Sequence, residues 1–168
     1  MTYNLIGVGN NAKTIKGDGS EYMTGIQYMK PEKTEYKGKV FNLCAMAGVA
    51  GCAKGCLNTA GRGQMGVVQK GRLRKTMLYL SDRVGYMDNL FKDLVKFSSR
   101  YTKQNIKPCI RLNGTSDIQY EKTGIMRQFP EVQFYDYTKI MCASFFVSLM
   151  HMIIVHAFIV YITSTYML

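Results

Sequence analysis

Three cysteines stand within 13 residues, in the pattern Cys44-x7-Cys52-x3-Cys56. Gly48, Gly51, Gly55, Gly61 and Gly63 lie among and just beyond them and let the backbone wrap closely around a small object. Thiolates are soft ligands that select zinc, Cu(I) or iron–sulfur clusters. Structural zinc takes four ligands, and a fourth is hard to find. His151, His156 and Cys142 all lie in a distant uncharged segment, which leaves Cys109 as the extra thiolate. Three cysteines with one open position instead suit a 4Fe-4S cluster whose fourth iron is free to take a substrate or a cofactor. The alternative is that the three are small apolar side chains packed in a Gly-rich loop.

The elements that must hold this loop follow from patterning. Val40 to Ala47 reads as a strand that runs into the Gly-rich segment Gly48 to Gly66. Before it, residues Met1 to Gly38 read as loops with short edge strands at Tyr3–Val8 and around Tyr22–Met29. After it, a helix spans about Gln64 to Leu80. A second carries Met87, Leu90, Phe91 and Leu94 on one face and Lys92, Lys96 and Arg100 on another, with Ser81 and Asp82 as caps. Ile106–Leu112 reads as a strand ending in Asn113-Gly114-Thr115-Ser116-Asp117. Ser116 and Gln119 form a capping box for a short helix to about Gln128, and Val132–Tyr137 is a further strand. Strand, helices, strand, helix, strand is the rhythm of a parallel sheet. In such sheets ligands bind beyond the carboxyl ends of the strands. The Cys44 loop, Asn113 to Asp117 and Asp136–Tyr137 all fall there, so three ligand-binding elements are expected on one rim.

Composition bounds the partners. The 168 residues are 47% hydrophobic and 20% charged, with 16 Gly and only 3 Pro, which excludes low-complexity and collagen-like chains and is too short for a complete eight-stranded barrel. A net charge of +11, from 22 Lys+Arg against 11 Asp+Glu, favours an anionic partner: nucleic acid, a phosphate-bearing substrate or acidic lipid. Tyr79, Tyr86 and Tyr101 lie among the basic helical residues as stacking surfaces for bases. Five cysteines, an odd count, without a basic-then-apolar leader, point to free or metal-bound thiols in a reducing compartment rather than disulfides. Gly7 to Thr14 is one residue from a P-loop, but Ile15 to Ser20 cannot begin the helix that a P-loop requires, so it reads as a polar loop.

The charge stops abruptly. No Lys, Arg, Asp or Glu follows Lys139, and Ile140 to Leu168 is 29 uncharged residues. The expected division is a basic α/β domain over residues 1–139 and a hydrophobic tail over residues 140–168. That tail is long enough to span a bilayer as a helix with the basic domain on the cytoplasmic side. It is also β-branched-rich from Ile153 to Tyr161, as a buried terminal element would be, or else foreign to the domain.

Three blocks carry a resemblance: Cys52-Ala-Lys-Gly-Cys56-Leu-Asn-Thr-Ala-Gly-Arg-Gly63, Arg111-Leu-Asn-Gly-Thr-Ser-Asp117 and Phe129-Pro-Glu-Val-Gln-Phe-Tyr-Asp-Tyr-Thr-Lys139. From about Asn11 to Lys139 the chain resembles a family of bacteriophage proteins called gene product eighty-eight-like. That family is in turn distantly similar to radical-SAM partial barrels. The resemblance implies Cys44, Cys52 and Cys56 as cluster ligands, and Asn113, Gly114, Ser116 and Asp117 lining a cofactor or substrate pocket with Asp136 and Tyr137 beside it. It also implies S-adenosylmethionine as a further cofactor. The spacing of seven and three departs from the usual CxxxCxxC. The resemblance is read to stop at Lys139, where a truncated or frame-disrupted reading frame is one explanation of the tail.

The expected fold is therefore α/β: an incomplete βα barrel-like parallel sheet with flanking helices and a hydrophobic C-terminal segment. The expected function is that of a phage protein binding an iron–sulfur cluster, with radical-SAM-like redox chemistry as its enzymatic form, in the host cytoplasm. The alternatives are a zinc-containing nucleic-acid-binding module, and an interaction protein anchored at the cytoplasmic face of a membrane by its tail.

Overall fold

A computed structural model describes residues 4–8, 21–48, 50–51, 55–137 and 159–162. The second helix organises the core. α2 spans Arg83–Thr102 and buries Tyr86, Leu90, Leu94, Phe97 and Tyr101, a stripe that recurs every three or four residues. Leu90 and Leu94 belong to the apolar face read from the sequence. The rest of that face is rotated by one position, since Phe91 is 39% exposed and rests its ring against Phe129 at 5.2 Å. The Asp82 side chain accepts from the Gly85 N–H at 2.8 Å and caps the helix as its residue type foretells. α1, Gly66–Ser81, precedes it and buries only Arg72 and Thr76.

The sheet beneath α2 has the order β1 (Ile6–Val8), β2 (Tyr22–Gln27), β5 (Lys107–Arg111), β6 (Gln133–Tyr137), β7 (Ile159–Ile162). β2, β5 and β6 run parallel, while β1 and β7 are antiparallel to their neighbours. The centre of the sheet is thus the parallel α/β arrangement expected. The barrel-like extension is not: every neighbouring pair in a βα barrel is parallel, and these antiparallel edges leave an open sheet among the described residues. Within the tail, Ile159–Ile162 pairs along the outer edge of β6 and covers hydrogen-bonding groups that would otherwise face solvent there. Among the described residues no helix is long and apolar enough to cross a membrane. Of the tail over residues 140–168, where the membrane-spanning reading falls, residues 140–158 and 163–168 lie outside them.

Two local expectations are corrected. β2 is an interior strand rather than part of an edge. Gly25 makes this workable: a Cβ there would stand 2.7 Å from Ile6 Cγ2, 2.9 Å from Ile110 Cδ1 and 2.9 Å from the Phe97 ring, so its absence lets α2 settle onto the sheet. Each deeply buried Leu or Ile at this contact contributes on the order of 2 kcal/mol. The strand read over Val40 to Ala47 is short. Lys39–Phe41 forms β4, paired only with β3 (Thr34–Tyr36) through a tight turn in which Lys37 and Gly38 both take positive φ, and Ala45–Ala47 is one 3-10 turn.

The segment between β5 and β6 forms 3-10 turns at Tyr120–Thr123 and Met126–Gln128 instead of one helix. The capping box does not form, because the Ser116 hydroxyl donates to Asn113 Oδ1 at 2.8 Å.

Candidate functional site at the carboxyl rim

The chain leaves β2 at Gln27, leaves β5 at Arg111 and leaves β6 at Tyr137, all at the same edge of the sheet. Backbone hydrogen bonds then lace the departing segments together. Gly114 N–H donates to the Gln27 carbonyl at 2.9 Å, Leu43 N–H to Pro31 at 2.9 Å, and Asp117 N–H to Leu43 at 2.7 Å. The Thr115 hydroxyl donates to the Met29 carbonyl at 2.5 Å. The segment carrying Cys44 is therefore held between the chain after β2 and the chain after β5, although it belongs to no strand of the main sheet.

Asn113 is the knot. Its Nδ2 donates to the Ile118 carbonyl at 2.8 Å and to Asp136 Oδ2 at 2.6 Å, while its Oδ1 accepts from Ser116 Oγ and from the Ile118 N–H. Asp136 Oδ1 lies 3.6 Å from Arg111 Nε. Asn113, Gly114 and Ser116, expected to line a pocket, are buried and engaged with the chain itself. They build the rim, and of that block Asp117 reaches an open cavity. Tyr137 contributes the last residue of β6, with its backbone paired to Ile159.

Cys44 is 4% exposed, and its N–H is taken by Asn42 Oδ1 at 2.9 Å. Its thiol donates to Asp117 Oδ2 at 3.5 Å. Cys56 lies further along the loop, with its sulfur accepting from the Asn58 N–H at 3.4 Å. The backbone beside it is fastened to α1. Arg72 Nη1 donates to Asn58 Oδ1 at 2.7 Å, and Gln69 Nε2 donates to the Asn58 carbonyl at 2.7 Å and to the Gly63 carbonyl at 2.6 Å. Gly63 leaves no room for a side chain there, since a Cβ would stand 2.0 Å from the Leu57 carbonyl oxygen.

Cys52, His151, His156 and Cys142 lie outside the described residues. No group of three Cys, His, Asp or Glu side chains placed to hold a metal occurs among the described residues. Cys109, read as the extra ligand, is in the body of β5 beside Thr24, four residues before Asn113. At about 3.3 Å per residue that is ~13 Å from the rim, so Cys109 is no partner for Cys44. Burial pushes its thiol up to about 11.

Arg72 is the residue that sequence reasoning missed. It looks like one more solvated helical charge among Lys70, Arg74 and Lys75, yet it is 7% exposed and its guanidinium sits 5.1 Å from the Tyr28 ring centroid. Burial lowers its pKa, and the nearby Tyr28 and Cys56 draw it back up. Tyr86 and Tyr101, read as stacking surfaces for bases, are core residues. The Tyr86 hydroxyl meets the Tyr120 hydroxyl at 2.7 Å, and Gln27 Nε2 donates to both. Lys92, Lys96 and Arg100 do lie on the exposed face of α2. Of the P-loop-like stretch, Gly7 and Val8 are strand residues in β1 and the remainder lies outside the described residues.

Lys75 braces the same layer: its Nζ donates to the Leu5 carbonyl at 2.6 Å, while the Leu5 N–H donates to Asp93 Oδ2 at 2.6 Å. Burial lowers Lys75 from 10.5 to about 8; Asp93 opposes that shift and Arg72 adds to it. Above pH about 8 the folded chain releases a proton that the unfolded chain keeps until 10.5, so this residue adds stability as pH rises through that window. Cys109 acts oppositely above pH 9, where unfolded thiol ionises first. Urea midpoints are therefore expected to rise from pH 8 to pH 9 in the wild type relative to Lys75→Met, by at most ~1.4 kcal/mol per pH unit for one proton. Equal slopes for the two proteins would contradict the burial of this ammonium.

A parallel-centred α/β sheet with thiol, carboxylate and amide side chains gathered at its carboxyl rim defines a mixed α/β protein. The family model for Gene product 88 matches residues 4–165, and the chain belongs to this bacteriophage family. The matched span runs past Lys139, where the resemblance was read to stop, and takes in most of the uncharged tail. No curated protein and no solved structure matches the chain.

Proposed function

We propose that the protein holds a metal centre through Cys44, Cys52 and Cys56, and that an iron–sulfur cluster is the group these donors suit. The observation that carries this reading is the seat of Cys44. Its thiol is buried at the carboxyl rim against Asp117, and Cys56, twelve residues on, stands beside backbone bolted to α1 by Arg72 and Gln69. Thiolates in such a loop are soft donors. The buried guanidinium of Arg72, electrostatically coupled to Cys56, offsets the negative charge that a metal–thiolate group brings. A bound cluster supplies one-electron redox chemistry at the rim, and its S-adenosylmethionine-dependent form rests on the resemblance alone.

One observation favours zinc as a second reading. The Asp117 carboxylate, an oxygen donor that zinc accepts, lies 3.5 Å from Cys44 Sγ and could complete a four-ligand set that Cys109 cannot.

Anaerobic purification followed by iron, sulfide and zinc analysis tests both. The cluster gives brown protein with about four iron and four sulfide per chain. Cys44→Ala, Cys52→Ala and Cys56→Ala each abolish the colour, and Cys109→Ala leaves it intact. About one zinc per chain, lost in Asp117→Ala, establishes the second reading. Colourless, metal-free protein overturns both.

A further inference from the structure

A depression of about 430 Å3 opens where the α1–α2 corner faces the turn after β5. This lies within the roughly 300–1,000 Å3 of small-molecule sites. Leu43 and Ile118 give it apolar surface, and Tyr79, Arg83, Asp117 and Lys122 give it polar groups. Neither Arg83 nor Lys122 takes part in an ion pair among the described residues, where Lys107 joins Glu21 and Arg111 joins Asp136.

Arg83 is also held in place. Its guanidinium lies 5.1 Å from the Tyr79 ring centroid, and Tyr79 in turn meets the buried Tyr86 edge-on at 5.1 Å and 80°. A cation fixed before the ligand arrives loses little freedom on binding it. Asp117 also lines the cavity, where its carboxylate accepts from the Cys44 thiol and disfavours a second anion. The matching ligand therefore has a single anionic head and a flat or apolar body.

We infer that this depression binds a small phosphomonoester of the nucleoside monophosphate class, its phosphate between Arg83 and Lys122 and its body against Leu43 and Ile118. Asp117 borders both this cavity and the Cys44 thiol, but the phosphate seat uses Arg83 and Lys122 and does not rest on the metal reading. Arg83 and Lys122 are exposed, so their removal leaves the core untouched.

Calorimetric titration of the full chain at low salt with AMP, GMP, CMP, UMP and inorganic phosphate tests it. At least one nucleotide is expected to bind saturably, one per chain, and more tightly than inorganic phosphate. Arg83→Ala and Lys122→Ala each weaken it roughly tenfold or more. Lys96→Ala, thirteen residues further along α2 and so about 20 Å away, leaves it unchanged, and unaltered urea midpoints show that all three variants fold. No saturable binding overturns the site, as does binding indifferent to Arg83→Ala and Lys122→Ala. Equal weakening by Lys96→Ala reduces the effect to general attraction of anions, which also overturns it. Inorganic phosphate binding as tightly as every nucleotide overturns the contribution of Leu43 and Ile118.

Discussion

Asn113→Ala is expected to lower the free energy of unfolding by about 3 kcal/mol, seen as a large fall in urea midpoint. One small amide, 7% exposed, serves four hydrogen bonds, and its truncation removes all four at once in a buried setting. The Ser116 hydroxyl can turn elsewhere and the Ile118 carbonyl keeps the Tyr120 N–H at 2.9 Å, but the Ile118 N–H loses its acceptor and Asp136 loses the donor at 2.6 Å. Asn113→Asp sharpens the point. It keeps an acceptor for Ser116 and the Ile118 N–H while setting a second carboxylate against Asp136, so it destabilises at neutral pH and recovers on acidification as the pair comes to share a proton. A midpoint within a few tenths of a molar of wild type for Asn113→Ala would show that the rim does not depend on this residue.

Gly114→Ala is the second large effect. A Cβ there would lie 2.6 Å from the Gln27 carbonyl oxygen and 2.6 Å from Tyr28 Cδ1. The backbone cannot retreat without giving up the hydrogen bond from Gly114 N–H to that same carbonyl. Displacement of the Tyr28 ring passes to Arg72, which stacks on it, and so to Asn58 and the loop that carries Cys56. A loss of about 3 kcal/mol is expected, at the upper end for overpacking because one obstacle is backbone, together with reduced metal content. Gly48→Ala is the matched control, since nothing lies within 4 Å of its Cβ position and its φ is −67°. Comparable losses for both substitutions would rule out the steric argument.

The sequence made some of this architecture readable and concealed the rest for physical reasons. α2, β5 and β6 announce themselves because their burial follows a regular period, as in Leu90 with Leu94 and Ile110 with Leu112. Asp82 is recognisable as a cap from its type and place. β2 is not recognisable as a central strand, because Gly25 looks like a breaker and is needed only once Phe97 lies above it. Val40 to Ala47 seems one apolar run, yet only Lys39–Phe41 has a pairing partner, and pairing is not written in a single segment.

The convergence at the rim was legible in outline: the Cys44 segment, the Asn113–Asp117 turn and Asp136 are joined by hydrogen bonds, as strand-end positions suggest. Their division of labour was not. Asn113 and Ser116 turn inward to each other, while Tyr79, read as a stacking surface for bases, and Arg83 join Asp117 and Lys122 in the polar wall of the cavity. Arg72 and the Gln27–Tyr86–Tyr120 cluster stayed hidden because their partners are remote in sequence, with Gln27 59 residues from Tyr86 and 93 from Tyr120.

The central claim is that sulfur from this chain grips a metal, and X-ray absorption at the iron and zinc edges of anaerobically purified full-length protein probes that bond itself. The expected spectrum is dominated by sulfur neighbours at about 2.3 Å, lost from Cys44→Ala and Cys56→Ala protein that remains folded. A shell of oxygen and nitrogen alone, or the same sulfur shell in both variants as in the wild type, would contradict it.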